Sequence, residues 1–173
     1  MDEARRILID GRSGSGKTEL AAAIRADWPQ AQLVRMDDLY PGWGGLLAGS
    51  ALVPAVLGTG RYRIWNWAEN RYGAEVTLDL GRPIIVEGVG ALSRASRPLA
   101  DLAVWVRYPA PLRKQRALAR DGDTFAPHWC DWAVQERDFM RSEHPQALAD
   151  VIVDGADVTD WRAVLDPALV FGS

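Results

Sequence analysis

The segment spanning residues 11–18 constrains the fold of this chain more than any other part of its sequence. It reads Gly-Arg-Ser-Gly-Ser-Gly-Lys-Thr and fits the pattern G-x-x-x-x-G-K-[ST] without a mismatch. Residues 6–10 precede it as a predicted buried strand, and residues 19–25 follow it as the opening turns of a predicted helix. Such a unit aims several backbone N–H groups and a helix dipole at one anion. The segment therefore predicts a loop that binds a nucleoside triphosphate.

Two other structures could account for this segment. A glycine-rich turn could simply cap a core helix without binding anything. A dinucleotide-binding fingerprint, G-x-G-x-x-G, would begin at Gly14, but its third glycine position holds Glu19, so that interpretation fails. The phosphate loop is the interpretation that fits all eight residues.

Each residue type in the loop has an expected task. Glycines allow backbone conformations and a close phosphate approach that a Cβ atom would block. The lysine supplies a positive charge on the β- and γ-phosphates, and the threonine hydroxyl is an expected ligand of Mg²⁺. The predicted nucleotide-binding residues are Gly11, Ser13, Gly14, Ser15, Gly16, Lys17 and Thr18.

The length and composition of the chain exclude several classes of protein. A chain of 173 residues predicts one domain, residues 1–173, that is long enough to bury a core. A net charge of −3 does not favour a nucleic-acid partner, and no apolar run approaches the length that would span a membrane. The single Cys130 excludes an internal disulfide framework and favours a cytoplasmic protein. The oligomeric state is left open.

Apolar, β-branched runs alternate with helical patterns along the chain. This alternation predicts an α/β fold with three layers, in which a parallel five-stranded sheet carries helices on both faces. The predicted strands are residues 6–10, 32–36, 83–87, 102–106 and 150–154, and the predicted helices lie near 16–27, 46–57, 110–120 and 129–143.

The interval from residue 58 to residue 82 breaks this rhythm. Residues 62–67 and 74–79 are predicted to form two strands joined through residues 70–73. Such a hairpin would be inserted into the α/β core and would contribute to an acceptor-binding lobe of about residues 38–82. Trp65 and Trp67 would share one face of their strand and could stack on a planar acceptor or simply pack.

Carboxylates follow two of the predicted core strands. Asp37 comes directly after the second strand, and Glu87 ends the third. Ligands bind at the carboxyl ends of strands in open α/β sheets. Phosphoryl transfer needs an anionic metal ligand near the loop and a base for a neutral hydroxyl acceptor. Glu87 suits the metal role and Asp37 suits the base role, although either acid could instead cap the next turn.

A basic helical face follows the fourth strand. Arg113, Arg116 and Arg120 are spaced i, i+3 and i+7, so they share one face of a helix. A solvated surface is the ordinary explanation for such a run. Its position before a Gly/Asp turn also fits a mobile lid of about residues 113–128, whose arginines would close on the transferred phosphoryl group.

Together these segments resemble a known family. Residues 11–18, 36–40, 84–92, 113–121 and 149–153 look like the uridine kinase group of P-loop kinases, in that group's order and over nearly the whole chain. The group includes relatives that act on pantothenate and phosphoribulose. The Asp-x-Leu-Tyr and Val-Glu-Gly segments are more discriminating than the phosphate loop, which many families share. The resemblance implies the P-loop kinase fold, with ATP and Mg²⁺ as cofactors.

The resemblance also implies roles for individual residues. Asp37 would be the general base, Glu87 would contact the metal or the acceptor, and Arg116 and Arg120 would be catalytic lid residues. The family's Tyr-Asp pair in the acceptor lobe corresponds to Trp65 and Asn66, so a charge that contacts the acceptor sugar is missing. The resulting candidate acceptor contacts are Asp37, Tyr40, Trp65, Asn66, Arg71 and Glu87.

The sequence therefore predicts an ATP- and Mg²⁺-dependent kinase that phosphorylates a hydroxyl of a small, nucleoside-like molecule. A nucleoside monophosphate kinase is an alternative, because Arg61, Arg63 and Arg71 could bind an acceptor phosphate. An ionised acceptor would, however, be repelled by Asp37. A nucleotide-dependent switch or ATPase module is a third possibility, although the guanine-binding Asn-Lys-x-Asp motif is absent from the sequence.

Overall fold

The computed structural model describes residues 5–156 and 158–172, and it is built around a parallel five-stranded sheet. Its strands are β1 (Arg6–Asp10), β2 (Gln32–Arg35), β5 (Ile84–Glu87), β6 (Leu102–Arg107) and β7 (Val151–Asp154), in the order β2-β5-β1-β6-β7. The helices are α1 (Lys17–Asp27), α2 (Leu46–Thr59), α3 (Ala110–Phe125), α4 (Trp129–Glu143), α5 (Pro145–Leu148), α6 (Trp161–Val164) and α7 (Pro167–Phe171).

Helices cover both faces of this sheet, which confirms the predicted three-layer α/β fold. Side chains alternate across a strand, so Ile7 and Ile9 of β1 pack into one core cluster with α1, α6 and α7, whereas Leu8 packs into the other with α2, α3 and α4. Because both faces are buried, the central strands read as continuous apolar runs rather than as alternating ones.

Several predicted boundaries shift by a residue or two. Pro83 and Asp150 lie just outside their strands, and Met36 begins a short 3₁₀ helix, Met36–Asp38, instead of ending β2. The predicted helix at 110–120 continues to Phe125 with a break at Gly122, whose backbone is non-helical (φ 52°, ψ −130°). A 3₁₀ turn, Ala126–His128, then leads into α4. Among the described residues, no helix is long and apolar enough to cross a membrane.

The predicted hairpin is present, but its turn was misplaced. The antiparallel strands are β3 (Arg61–Asn66) and β4 (Arg71–Thr77), so the turn is formed by residues 67–70 rather than 70–73. The Asn66 side-chain oxygen accepts the backbone N–H groups of Ala68 and Glu69, both at 3.0 Å, and Asn70 adopts a left-handed φ of 53°. This local hydrogen bonding closes the turn early. Trp67 consequently lies in the turn and does not share a strand face with Trp65.

One buried carboxylate ties the central strand to its neighbour. Asp10 ends β1, and its Oδ1 accepts the N–H of Gly11 at 2.7 Å. Its oxygens also accept the N–H groups of Gly90 at 3.2 Å and Leu92 at 2.9 Å, in the loop after β5. Burial raises the pKa of Asp10 to about 7, although these N–H groups and Lys17 oppose the shift. Asp10 therefore fixes the relative position of two loops at the same edge of the sheet.

We predict that Asp10 makes stability fall as the pH rises from about 4 to 7. In this window the unfolded chain releases the proton that folded Asp10 retains, so each pH unit costs up to about 1.4 kcal/mol of unfolding free energy. Urea unfolding at a series of pH values measures the slope. Asp10→Asn should flatten it, whereas Asp101→Asn, which removes an exposed carboxylate that also accepts a backbone N–H, should not. Equal slopes in wild type and Asp10→Asn would contradict the assignment.

Candidate active site

A cavity of about 1010 Å³ opens at the carboxyl edge of the parallel sheet. The phosphate loop, the segments after β2 and β5, and helices α3 and α4 surround it. The structure brings together ten of the predicted site residues around this cavity: Ser13, Gly14, Gly16, Lys17, Thr18, Asp37, Tyr40, Glu87, Arg116 and Arg120. Gly11 and Ser15 lie behind them, buried in the loop.

The phosphate loop connects β1 directly to α1. The Lys17 ammonium donates to the carbonyl oxygen of Arg12 at 3.0 Å and lies 3.5 Å from Ser15 Oγ, so it spans the loop. Burial lowers the pKa of Lys17, while Glu87 and Asp10 act in the opposite direction. Gly14 has a φ of 77°, and a Cβ atom there would collide with the backbone of Arg113. The loop shape thus requires glycine at this position.

Two charged side chains hold the loop from behind: Glu136, which the sequence analysis missed, and Arg113, which it assigned to the lid. Glu136 of α4 accepts the backbone N–H of Ser13 at 2.7 Å and pairs with Arg12 at 3.3 Å. Arg113 of α3 donates to the carbonyl oxygens of Ser13, at 3.4 Å, and Tyr108, at 3.0 Å. Both are buried.

A pattern in α4 could have revealed Glu136. The buried residues of this helix are Trp132, Glu136 and Phe139, spaced i, i+4 and i+7. An acid on the apolar face of a helix is unfavourable unless it has a partner, so its position alone indicates a buried polar contact.

The side chains of Thr18, at the start of α1, and Glu87, at the end of β5, lie next to each other and offer two oxygen ligands for a metal ion. The Thr18 hydroxyl donates to Glu87 Oε1 at 3.2 Å, and Arg35 lies 3.7 Å from the same carboxylate. Burial raises the pKa of Glu87, and Lys17 opposes this shift. No group of three or more His, Cys, Asp and Glu residues that could bind a metal occurs in residues 5–156 and 158–172. A hydroxyl and one carboxylate fit Mg²⁺, which usually keeps several waters and phosphate oxygens as ligands.

Asp37 and Asp38 both lie in the 3₁₀ helix that follows β2, but of the two only Asp37 lines the cavity. Asp37 is solvent-exposed at the surface of the cavity. Partial desolvation by the cavity walls raises its pKa, and Arg120 and Lys17 partly offset this. The indole N–H of Trp67 donates to the backbone carbonyl oxygen of Asp37 at 3.1 Å. The hairpin turn therefore supports the backbone that carries this carboxylate.

The three predicted lid arginines point to different partners. Arg113 faces the back of the phosphate loop, as described above. Arg116 donates to the carbonyl oxygen of Gly155 at 2.9 Å, and its guanidinium lies 3.9 Å from the centre of the Tyr108 ring. Arg120 pairs with Asp121 at 2.9 Å. The last two line the cavity, together with the segment after β7 that includes Gly155 and Val158 and that the sequence analysis did not single out.

The predicted acceptor contacts divide into two groups. Asp37, Tyr40 and Glu87 line the cavity, and the Tyr40 hydroxyl donates to the carbonyl oxygen of Val89 at 2.5 Å. Trp65, Asn66 and Arg71 lie outside it. Trp65 packs edge-on against Tyr72, Asn66 closes the hairpin turn, and Arg71 pairs with Glu69. The hairpin instead contributes Trp67 to the cavity.

Comparison with known proteins supports the fold. No protein-family model and no curated protein matches the sequence. A possible uridine kinase from Bacillus stearothermophilus superposes with a TM-score of 0.62, at 19% identity over 89% of this chain and 90% of that one. A gluconokinase from Sinorhizobium meliloti gives 0.55, at 18% identity over 91% and 86%, and shikimate kinase from Acinetobacter baumannii gives 0.52, at 15% over 92% and 90%. The chain therefore has the P-loop kinase fold.

We predict that Glu136→Gln raises the KM for ATP about tenfold and changes kcat less. The variant weakens the acceptor of the Ser13 N–H and removes the partner of Arg12, a charge-assisted contact worth roughly 1.5 kcal/mol. Steady-state kinetics with varied ATP separates the two constants. Glu143→Gln is the control, because Glu143 lies on the same helix and also accepts a backbone N–H, that of Arg94, but lies away from the loop. Equal KM values for wild type and Glu136→Gln would rule out a positioning role.

Proposed function

We propose that this protein transfers the γ-phosphoryl group of ATP, with Mg²⁺, to a hydroxyl of a small, nucleoside-like molecule. The observation that supports this best is the juxtaposition, in one cavity, of a phosphate loop with its lysine and two carboxylates at strand ends, the buried Glu87 and the solvent-exposed Asp37. A site that only binds nucleotide has no need of Asp37, which lies away from the loop on the segment after β2.

The loop and the start of α1 would bind the triphosphate. Backbone N–H groups of residues 14 and 16–18 would meet the phosphate oxygens, because those of Ser13 and Ser15 are already donated to Glu136 and Arg12. The Lys17 ammonium would exchange its present carbonyl partner for a phosphate oxygen. Thr18 and Glu87 would hold Mg²⁺, which supplies charge neutralisation on the phosphates when bound. The catalytic contribution of these residues is positioning and electrostatic stabilisation.

Asp37 would accept the proton of the attacking hydroxyl. A general base works best when its pKa lies nearer the working pH, and partial desolvation in the cavity moves the pKa of Asp37 in that direction. Asp37 can still ionise despite its raised pKa, because Arg120 and Lys17 favour the charged carboxylate. Trp67 fixes the backbone of Asp37, so the carboxylate is held relative to the loop.

Arg116 and Arg120 would contact the nucleotide from the lid side. Arg116 lies beside Gly155 and Val158, where an aromatic base could be sandwiched between the guanidinium and the segment after β7. Arg120 lies on the same helix near Asp37 and would neutralise the charge of the moving phosphoryl group once it leaves Asp121. The exposed Cys130 is compatible with work in the reducing cytosol.

Lys17→Ala should lower kcat/KM for ATP-dependent phosphorylation by at least about a thousandfold, because the buried positive charge on the phosphates is lost. ADP release in the presence of acceptor measures this. The sequence has one other lysine, the exposed Lys114, so Lys114→Ala is a matched control and should keep wild-type activity. Comparable activity in Lys17→Ala and wild type would refute the phosphate-binding role.

Asp37→Asn should lower kcat by about 10²- to 10⁴-fold and leave the KM for ATP nearly unchanged, because only the proton acceptor is removed. Asp38→Asn, the same change one residue further on and outside the cavity, should have little effect. Full kcat in Asp37→Asn would show that another group takes the proton.

The pH profile gives an independent test of the same residue. Because partial desolvation in the cavity raises the pKa of Asp37, kcat should fall as the pH is lowered through a value above the ordinary 3.8 of an aspartate. The protonated carboxyl can no longer accept a proton. The residual activity of Asp37→Asn should lack this acidic limb, whereas Asp38→Asn should retain it.

A further inference from the structure

The backbone of Asp37 is held by the hairpin and not only by its own segment. Asp37 lies in a 3₁₀ helix of three residues and is exposed at the cavity, so the direction of its carboxylate depends on the backbone beneath it. The Trp67 indole N–H donates to its carbonyl oxygen at 3.1 Å, and the Tyr72 hydroxyl donates to that of Leu39 at 2.8 Å. The orientation of Asp37 therefore depends on where the Trp67 ring lies.

Trp67 in turn depends on Trp43. Trp67 lies in the hairpin turn between β3 and β4 and keeps 40% of its surface exposed, so its own surroundings hold it weakly. Within the part of the chain that the structure describes, its one aromatic contact is with Trp43, at 5.1 Å between ring centres and 57° between ring planes. The position of the Trp43 ring thus limits where Trp67 can lie.

Trp43 is fixed by its side chain more than by its backbone. Residues 41–45 read Pro-Gly-Trp-Gly-Gly, and glycines leave a backbone many conformations. The Trp43 ring stacks on the His128 imidazole, with 4.2 Å between ring centres and 10° between planes, and on Phe125 at 5.6 Å and 14°. The Gln135 side chain donates to the Trp43 carbonyl oxygen at 2.6 Å. Contacts with the segment around α4 therefore set the position of this ring.

His128 makes the closest of these ring contacts, yet it does not line the cavity. It ends the 3₁₀ turn Ala126–His128 and is half-buried. Among the contacts of the described residues, its imidazole stacks on Trp43 and forms no hydrogen bond. A ring placed in this way acts on the cavity through Trp43 and not by touching a bound molecule.

A break in α3 separates His128 from the arginines that line the cavity. Arg116 and Arg120 precede Gly122, whereas Phe125 and His128 follow it. An added Cβ atom at Gly122 would meet no atom within 4 Å, so its φ of 52°, and not close packing, requires glycine there. Removal of the His128 ring should therefore leave both arginines, and with them nucleotide binding, in place.

From these contacts we propose that His128 is a positioning residue for Asp37. Its stack on Trp43 holds Trp67, whose indole N–H holds the Asp37 backbone. The inference rests on the proposed function, because it takes Asp37 as the group that accepts the hydroxyl proton. A side chain outside the cavity should consequently affect kcat more than the KM for ATP.

Two variants of His128 test this proposal in steady-state assays of ADP release with MgATP and uridine or ribose. His128→Asn should lower kcat about three- to tenfold, the range that one aromatic pair contributes, and change the KM for ATP less than about twofold. His128→Phe keeps a flat ring and should retain at least about half of the wild-type kcat. Equal losses in both variants, or a raised KM for ATP with unchanged kcat, would overturn the proposal.

His144→Asn is the matched control, because His144 is the other histidine of the sequence and lies away from the cavity. Its φ of 52° is one that asparagine tolerates, so this variant should fold and keep wild-type kcat. A loss of kcat equal to that of His128→Asn would show that the effect is not specific to the Trp43 stack.

A double-mutant cycle tests whether His128 acts through Trp67. Trp67→Phe keeps a ring but removes the N–H that Asp37 accepts, and should lower kcat about three- to tenfold. Addition of His128→Asn to this variant should lower kcat by less than a further factor of about two, because the contact that His128 supports is already lost. Losses that multiply would overturn the proposed route.

Proton exchange of the Trp67 indole provides a readout that needs no kinase activity. In ¹H–¹⁵N spectra this signal is identified by its absence from Trp67→Phe, and its exchange with D₂O should be about threefold or more faster in His128→Asn than in wild type or His144→Asn. Unchanged exchange would overturn the proposal.

The two kinds of measurement separate this inference from the proposed function. Faster exchange in His128→Asn, with no ADP release from the wild type on either acceptor, would support the positioning of Asp37 and overturn the kinase proposal. Faster exchange with a wild-type kcat would retain the kinase and overturn the role of His128.

Discussion

The shape of the phosphate loop is the constraint on which the rest of the site depends. A phosphate loop can point its N–H groups at a ligand only if its other polar atoms have hydrogen-bond partners inside the protein. In this protein Asp10 binds the N–H of Gly11, Glu136 binds the N–H of Ser13, and Arg113 binds the Ser13 carbonyl oxygen. These three buried side chains come from β1, α4 and α3, so the loop is fixed by the core and by the segments that flank the lid.

The parallel sheet then brings the chemistry to the loop. In the register of the sheet, Ile9 of β1 and Arg35 of β2 lie opposite Glu87 of β5, one on each side of it. The strands β1, β2 and β5 therefore end at the same level. The residues that follow those ends therefore share one cavity, with Thr18 at the start of α1 directly opposite Glu87. Asp37 joins them because a short 3₁₀ helix turns the chain back over the sheet edge immediately after β2.

Local signals made the central part of this arrangement predictable. The loop motif, the buried strands and the acids at strand ends each depend on a few neighbouring residues, and they placed Lys17, Asp37 and Glu87 at the sheet edge, where the structure has them. The hairpin turn was misplaced because Asn66 closes it through its own side chain. The spacing of buried residues in α4 marks Glu136 as buried, but its partners Ser13 and Arg12 come from a distant segment, which no local pattern shows.

The most direct test of the account is the chemical nature of the product. ³¹P NMR of the protein incubated with ATP, Mg²⁺ and neutral ring alcohols distinguishes a phosphate monoester, inorganic phosphate and a phosphoanhydride. The account predicts a new monoester signal that grows in step with ADP and grows at least about a hundredfold more slowly in Asp37→Asn. Inorganic phosphate alone, released at a rate independent of the alcohol, or a phosphoanhydride formed only from monophosphate acceptors would contradict transfer to a hydroxyl.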